Sequence, residues 1–447
     1  MRPSPARRSA DRRSSTTTAW PVVCASILLW SSTAGAQYPD QGATSFHGTG
    51  EVVVSYDDNI RNEATNPLRD VSLTIAPGVL LLHRMERGAL SVRYQRPFVF
   101  FLINSQISSS ADIGSLDFAY ALTDVDDFGI TVGATRAATN LIGLGPTAGV
   151  AGGQPPAPVQ LVTPSLAQRY GHAFDERWSL GQSSTFALTT PIGENTAFST
   201  LASATVGMGP RLQLERHAFG LEGSFTYNYV SAIPGLEGSV DFHQLVPSAT
   251  GDWSWQFAER WQQQVAVGAA VPITPDGNLT VAPLATLTTL YTQREFGAAL
   301  TFSQAVTPNL QTQQIFLTDT ATLSAFMPLV PNERLIVDGA TSISHNRLFA
   351  RDLTTDSARA TSWSFDLGLS WSPLDLPLAL TARYQHFRQF LSNEPMLQEF
   401  ERNVVSLGIG TILPPIDPVM QRRGTFQPAG ASTPGGPLPS RGEDAGE

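Results

Sequence analysis

Lysine is absent from this chain and cysteine nearly so: all 28 basic residues are arginine, and the one cysteine is Cys24. Arginines outnumbered by 38 acidic residues, for a net charge of -10, offer no basic patch able to neutralise a phosphate backbone, and nucleic-acid binding is excluded. Charge of either sign is scarce, at 15% of residues where a soluble domain carries about 25%. Apolar residues stand at 42%, so the missing charge is replaced by Ser, Thr, Gln, Asn, Gly and Ala. That composition fits neither a disordered charged polymer nor a highly charged cytosolic enzyme. Long apolar runs are missing too. Beyond the first 36 residues no stretch approaches the ~20 apolar residues of a membrane helix, and apolar spacing of the i, i+3, i+4, i+7 kind is hard to find.

Residues 1–36 read as a secretory signal. Arg2, Arg7, Arg8, Arg12 and Arg13 precede the apolar AWPVVCASILLW, and Ala34-Gly35-Ala36 before Gln37 has the small-x-small form of a cleavage site. The run from Ala19 to Trp30 is too short for an anchoring helix. Cleavage would remove Cys24, which excludes disulfides, thiolate catalysis and Cys-ligated metal from the exported protein. It would also remove five arginines and Asp11, a net of +4, taking the charge from -10 to -14.

Period two pervades the rest. In SWSFDLGLSW, Trp363, Phe365, Leu367, Leu369 and Trp371 form one face, with Ser, Asp and Gly on the other. Phe219 to Val230 behaves the same way. Short junctions separate such segments, each an aromatic or apolar residue on either side of a few polar ones: Phe174-DER-Trp178, Phe257-AER-Trp261, Tyr291-TQRE-Phe296, Leu122-TDVDD-Phe128 and Val330-PNER-Leu335. These are hairpin turns, and their flanking aromatics suit a membrane–water boundary. Longer polar or Gly/Pro-bearing connections alternate with them. The pattern predicts an all-β fold, a single transmembrane antiparallel β-barrel of about 18 strands (16–20), with short periplasmic turns and long external loops. The predicted organisation is a signal peptide at 1–36, a short N-terminal segment at 37–45, the barrel at 46–414 and a disordered Pro/Gly-rich periplasmic tail at 415–447. A pair of soluble β-sandwiches is the competing reading. No Pro/Gly/Ser linker divides residues 46 to 413, and a closed sheet leaves no edge to desolvate in a bilayer. One segment fits poorly: Pro97 to Ile103 (PFVFFLI) is apolar on both faces and reads as an embedded or plugging loop between strands at 88–98 and 111–122.

The opening strand, GEVVVSYDDNI (Gly50 to Ile60), resembles the start of the type 2 β-barrel porins, and RNVVSLGIGTILP (Arg402 to Pro414) is similar to a last barrel strand. Strand count and length also resemble the outer-membrane barrels of exopolysaccharide secretion systems. The resemblance implies a bacterial outer-membrane location and export of sugar polymer. It also implies outer-membrane lipid and a periplasmic export lipoprotein or other polysaccharide-secretion component as partners. The chain departs from such barrels in its tail, which continues past the last strand where a terminal aromatic is usual.

By parity, the residues expected to line the lumen include Glu51, Arg93, Gln95, Asp117, Glu222, Asp252, Gln262, Gln264, Asp338, Asp366, Arg383, Gln385 and Arg402. Signs are mixed, with hydroxyls and amides between, a lining for a small hydrophilic solute or a sugar polymer rather than a single-sign ion filter. A lumen whose polar groups saturate one another is the plugged alternative, a structural or receptor barrel. The Gly/Ala/Pro-rich connection from Ala137 to Ser165 is either a mobile external loop or one that folds inward, as third loops do in the porins this chain resembles. No nucleophile elbow, H-E-x-x-H, P-loop or EF-hand motif occurs, and the seven histidines never pair at i, i+2 or i, i+4. No enzyme, cofactor or resident metal is therefore expected. Asp57-Asp58-Asn59 has oxygen ligands for Ca²⁺ but reads first as a solvated loop start.

Overall fold

The computed structural model describes residues 44–62, 66–138, 159–192, 199–232, 241–273, 281–293, 296–308, 315–330, 335–348, 359–373, 377–392 and 399–413. The expected signal, most of the N-terminal segment, the C-terminal tail and the Gly/Ala/Pro-rich stretch from 139 to 158 lie outside the described residues.

The described chain is almost entirely strand. In order these are β1 (Thr44–Asp57), β2 (Asp70–Met85), β3 (Gly88–Gln95), β4 (Phe98–Phe101), β5 (Ser109–Ser110), β6 (Asp112–Ala121), β7 (Asp126–Ala138), β8 (Gln160–Ala173), β9 (Trp178–Ile192) and β10 (Leu201–Gln213). They continue as β11 (His217–Val230), β12 (Phe242–Ala258), β13 (Trp261–Ala270), β14 (Ala282–Thr292), β15 (Gly297–Pro308), β16 (Ile315–Pro328), β17 (Leu335–Leu348), β18 (Arg359–Trp371), β19 (Leu378–Ser392) and β20 (Phe400–Leu413). Every pairing is antiparallel, and apart from β2 with β4, β3 with β6 and the closing pair, each joins strands consecutive in sequence. The ring closes where β1 pairs β20, from Gly48↔Leu413 to Asp57↔Val404. Closure matters physically because each backbone N–H or C=O left unpaired in hydrocarbon would cost several kcal/mol, about the worth of a small domain's whole stability margin.

Twenty strand segments make eighteen staves. One edge of β2 pairs β3 through Gly78–Met85 and β4 through Ser72–Ile75, so β3 and β4 are one stave broken at Arg96-Pro97. Pro97 has no N–H to give the ladder. The ladder is carried across by Arg96 N–H donating to Pro77 O (2.9 Å) and Ala111 N–H donating to Pro97 O (2.9 Å), the latter at the matching break between β5 and β6. This corrects the reading of Pro97 to Ile103 as a plugging loop. Phe98–Phe101 belongs to the wall, and the connection shrinks to residues 102–108 around a single 3₁₀ turn, Ser105–Ile107. The segment is apolar on both faces because neither meets water: Phe98 and Phe100 share the outer, lipid-facing side of Ile75 and Leu73, where Phe100 is exposed, while Val99 and Phe101 are buried on the inner side against Ile60, Leu68 and Ile107.

Eight connections of two to six residues lie at one rim and nine of six or more at the other, with both the start of β1 and the end of β20 on the short-turn side. Local chemistry fixes the short turns. In Phe174-Asp175-Glu176-Arg177-Trp178, the Asp175 carboxylate accepts from the N–H groups of Arg177 and Trp178, both at 2.7 Å, while Phe174 N–H donates to Trp178 O at 2.9 Å. Those two backbone donors hold the Asp175 carboxyl below the usual aspartate range. A depressed folded pKa stabilises the turn above the unfolded value of ~3.9 and loses that contribution as pH falls through the folded one. The ¹³C carboxyl shift of Asp175 in the detergent-solubilised barrel should accordingly titrate below that of a free aspartate. Titration at or above ~3.9 would show that the turn is not formed this way.

Candidate functional site

The register separates two faces around the whole ring. On one, large apolar side chains are exposed: Val52 and Val54 on β1, Val206 and Met208 on β10, Leu221 and Phe225 on β11, Leu367 and Leu369 on β18, Leu407 and Ile409 on β20. Because cross-strand partners share a face, this set is continuous from β1 through β20. So much exposed apolar surface is far more than a soluble monomer carries and is what a lipid-facing wall requires.

Aromatic girdles bound this apolar band. At the short-turn rim Trp253, Trp255, Phe257, Trp261, Tyr291 and Phe296 touch in sequence around the outside, at centroid separations of 4.7 to 6.0 Å. At the other rim Tyr227 OH bonds His243 Nδ1 at 2.6 Å, and Tyr384 OH donates to Asn403 Oδ1 at 2.8 Å. Trp255 and His243 lie at opposite ends of β12. At ~3.3 Å per residue and a tilt near 40°, they are roughly 30 Å apart along the barrel axis, close to the thickness of a bilayer core. The fold is that of a bacterial outer-membrane barrel.

The opposite face, turned into the lumen, is polar. Thr205–Thr226 (2.9 Å), Ser224–Ser248 (2.6 Å), Thr288–Thr301 (3.2 Å) and Ser342–Ser364 (2.9 Å) are hydroxyl pairs bridging neighbouring staves. By register the thirteen candidate residues share the face of these hydroxyl pairs, though their settings differ. Glu51 is exposed on β1, and Arg93 donates to Gln95 Oε1 at 3.2 Å on β3. Asp117 accepts from Thr131 Oγ1 at 2.9 Å. Arg383 donates to Asp366 (2.7 Å) and Asp338 (3.2 Å), and Gln385 donates to Asp366 (2.7 Å), a cluster spanning β17 to β19. Glu222 and Asp252 sit on adjacent strands, and Gln262 and Gln264 follow on β13. Across β13 to β16 the described inward side chains carry no charge, presenting amides and hydroxyls among Ala, Leu284, Leu290 and Phe326.

Arg402 departs from expectation. It points inward but is buried at the long-loop end, its Nε donating to both oxygens of Asp57 (3.1 and 3.0 Å), its Nη2 also to Asp57 and its Nη1 to Asn62 (3.4 Å). It braces the seam between β1 and β20 and does not present its charge to a passing solute. The same bonds account for Asp57-Asp58-Asn59. Asp58 accepts from Asn403 N–H and Nδ2 (both 2.7 Å), and Asn59 N–H donates to Asp57 (3.0 Å), so these groups serve the seam. Asn62 and Asn66 take left-handed backbone angles (φ 56° and 61°), which Asn tolerates, and Ile60 N–H donates to Leu68 O at 2.9 Å. Ile60, 0% exposed, thereby lands on Val99 and Phe101 and narrows the lumen at that rim.

Asp127 and Arg169, outside the thirteen candidates, also lie inward by register, opposite Gly171 and Gly129. Their neighbours Phe128 and Tyr170 mark the outer face and carried the signal. Asp70, likewise inward, accepts from Ile103 N–H (3.0 Å), Asn104 N–H (2.7 Å) and Asn104 Nδ2 (2.8 Å), tying the 102–108 connection to β2. Among the described residues no group of three His, Cys, Asp or Glu is arranged to hold a metal ion.

No protein-family model matches the sequence, and no curated protein matches it. Solved structures match in shape. OccAB3 of Acinetobacter baumannii is 10% identical, with 83% of this chain and 98% of that one covered at a TM-score of 0.44. The outer membrane protein OpdK of Pseudomonas aeruginosa is 9% identical, covering 83% and 99% at 0.43. The outer membrane protein OprD of the same species is 10% identical, covering 83% and 94% at 0.41. Likeness at this level carries no statement about what the barrel conducts.

Proposed function

We propose that the chain forms an outer-membrane channel for hydrophilic solute, with exopolysaccharide export as its specific task. The carrying observation is the closed ring of eighteen staves, apolar and exposed on one face and hydroxyl-, amide- and mixed-charge-lined on the other. A ring of sixteen to eighteen strands is wide enough to leave an aqueous path. The uncharged sector from β13 to β16 supports a neutral, hydroxyl-rich cargo, which such a wall can pass by exchanging weak hydrogen bonds without trapping it. The polymer itself, and an export lipoprotein on the periplasmic side, rest on the resemblance of strand count and chain length to secretion barrels.

Purified barrel in a planar bilayer should give single-channel steps, and neutral oligosaccharide added to either chamber should reduce the current in a size-dependent way. A folded barrel giving no steps would be a plugged structural or receptor barrel. In cells, a deletion strain should lose surface polysaccharide while cytoplasmic polymer synthesis continues. Unchanged surface polymer, together with reduced uptake of small sugars, would leave a general diffusion porin instead.

A further inference from the structure

Several charged side chains of the inward face lie across a glycine on the neighbouring strand. A Cβ on Gly220 would sit 2.0 Å from Asp252 Oδ1, on Gly171 2.2 Å from Asp127 Oδ1, and on Gly368 2.6 Å from Asp338 Oδ1. In each case glycine and acid are direct cross-strand partners. Glu222 makes the same approach on the diagonal, its Oε1 2.3 Å from the Cβ position of Gly207. Arg169 does so in the other sign over Gly129, at 2.7 Å to Nε.

We propose that these inward glycines are seats that hold Asp127, Glu222, Asp252 and Asp338 flat against the barrel wall, and that they thereby set the bore and the ion preference of the channel. The inference rests on the channel reading and names the residues that tune it. Glycine inside a strand weakens it through backbone entropy and the loss of a packing side chain, about 0.5–1 kcal/mol each. Its repeated occurrence opposite inward charges therefore needs an offsetting role. The geometry supplies one, because the space a Cβ would fill is occupied by the polar end of the neighbour. An aspartate has a second staggered χ1 well commonly used in strands. A methyl group at the seat moves the carboxylate into that well, toward the axis, and leaves the ladder intact. The displaced charge then narrows the path and raises the local negative potential, favouring cations.

The test is single-channel conductance and reversal potential in a KCl gradient for wild type, Gly220→Ala, Gly368→Ala, Asp252→Asn and the double variant Gly220→Ala/Asp252→Asn. Folding of each is checked by heat-modifiable gel mobility. Gly223→Ala, on the outward face of the same strand, is the control for a methyl group added to the wall, since nothing lies within 4 Å of a Cβ there. Gly220→Ala and Gly368→Ala are expected to lower conductance and raise the K⁺/Cl⁻ permeability ratio about twofold. Gly223→Ala should change neither. The rise at Gly220 should vanish when Asp252 is already Asn, since the two then act through one group. Unaltered conductance and ratio in both glycine variants would overturn the proposal, as would an effect of Gly220→Ala that persists beside Asp252→Asn. Loss of the folded barrel in both, with Gly223→Ala folded, would make the glycines structural and overturn it as well. A wild-type barrel without conductance would refute the channel reading itself.

Discussion

Arg402→Ala is expected to destabilise the folded barrel by about 3–5 kcal/mol, the largest loss for any single side chain considered. The guanidinium and the Asp57 carboxylate are 7% and 9% exposed, so removing one leaves the other charged, buried and short of partners. The loss falls at the seam, where the first and last strands meet across 345 residues of chain and where loop-closure entropy is greatest. Asn62 loses its arginine contact in the same step, and the connection that seats Ile60 on Val99 and Phe101 loses one of its tethers. Asp57→Ala should cost a similar amount. Asp57→Leu with Arg402→Met should recover much of it, because an apolar pair of similar volume escapes the desolvation cost of two buried ions. Urea unfolding of the vesicle-inserted barrel, followed by tryptophan fluorescence and by loss of the heat-modifiable band, measures all three. Arg402→Ala as stable as wild type would mean that the pair contributes nothing to closure.

The strands were legible because most have one wet face. Where a face meets lipid and its opposite meets water, residues alternate cleanly, as in β11 and β18, and parity alone separates Leu221 from Glu222 and Leu367 from Asp366. Where neither face meets water the alternation disappears. Phe98–Phe101 has apolar neighbours on its outer side and the folded-back Ile60 connection on its inner side, so it resembled an insertion although it is wall. Arg402 was legible as inward and illegible as buried, since its burial depends on Asp57 and Asn62 from the far end of the chain. The glycine seats lay further from view. A glycine such as Gly220 or Gly368 looks like a weak point in a strand until the register shows whose carboxylate lies across it.

Phe225→Arg and Thr226→Arg, adjacent on β11, should have opposite consequences if the two faces meet different solvents. Phe225 is 62% exposed in the middle of the apolar face, between Val206 and Pro247 on its flanking strands. A guanidinium there enters hydrocarbon near mid-depth, where arginine on a barrel's lipid face costs about 2–4 kcal/mol, a factor of roughly 30 to 1,000 in folding equilibrium. Thr226 is inward and bonded to Thr205 at 2.9 Å; arginine there forfeits one hydrogen bond, about 1 kcal/mol, and otherwise extends into water. Its effect should appear in permeation as a shift toward anions, with unfolding in vesicles barely altered. Equal tolerance of both changes in vesicles would show that Phe225 does not face lipid, because a one-residue step along a strand exchanges the two sides of a barrel wall and nothing else in β11 distinguishes these positions.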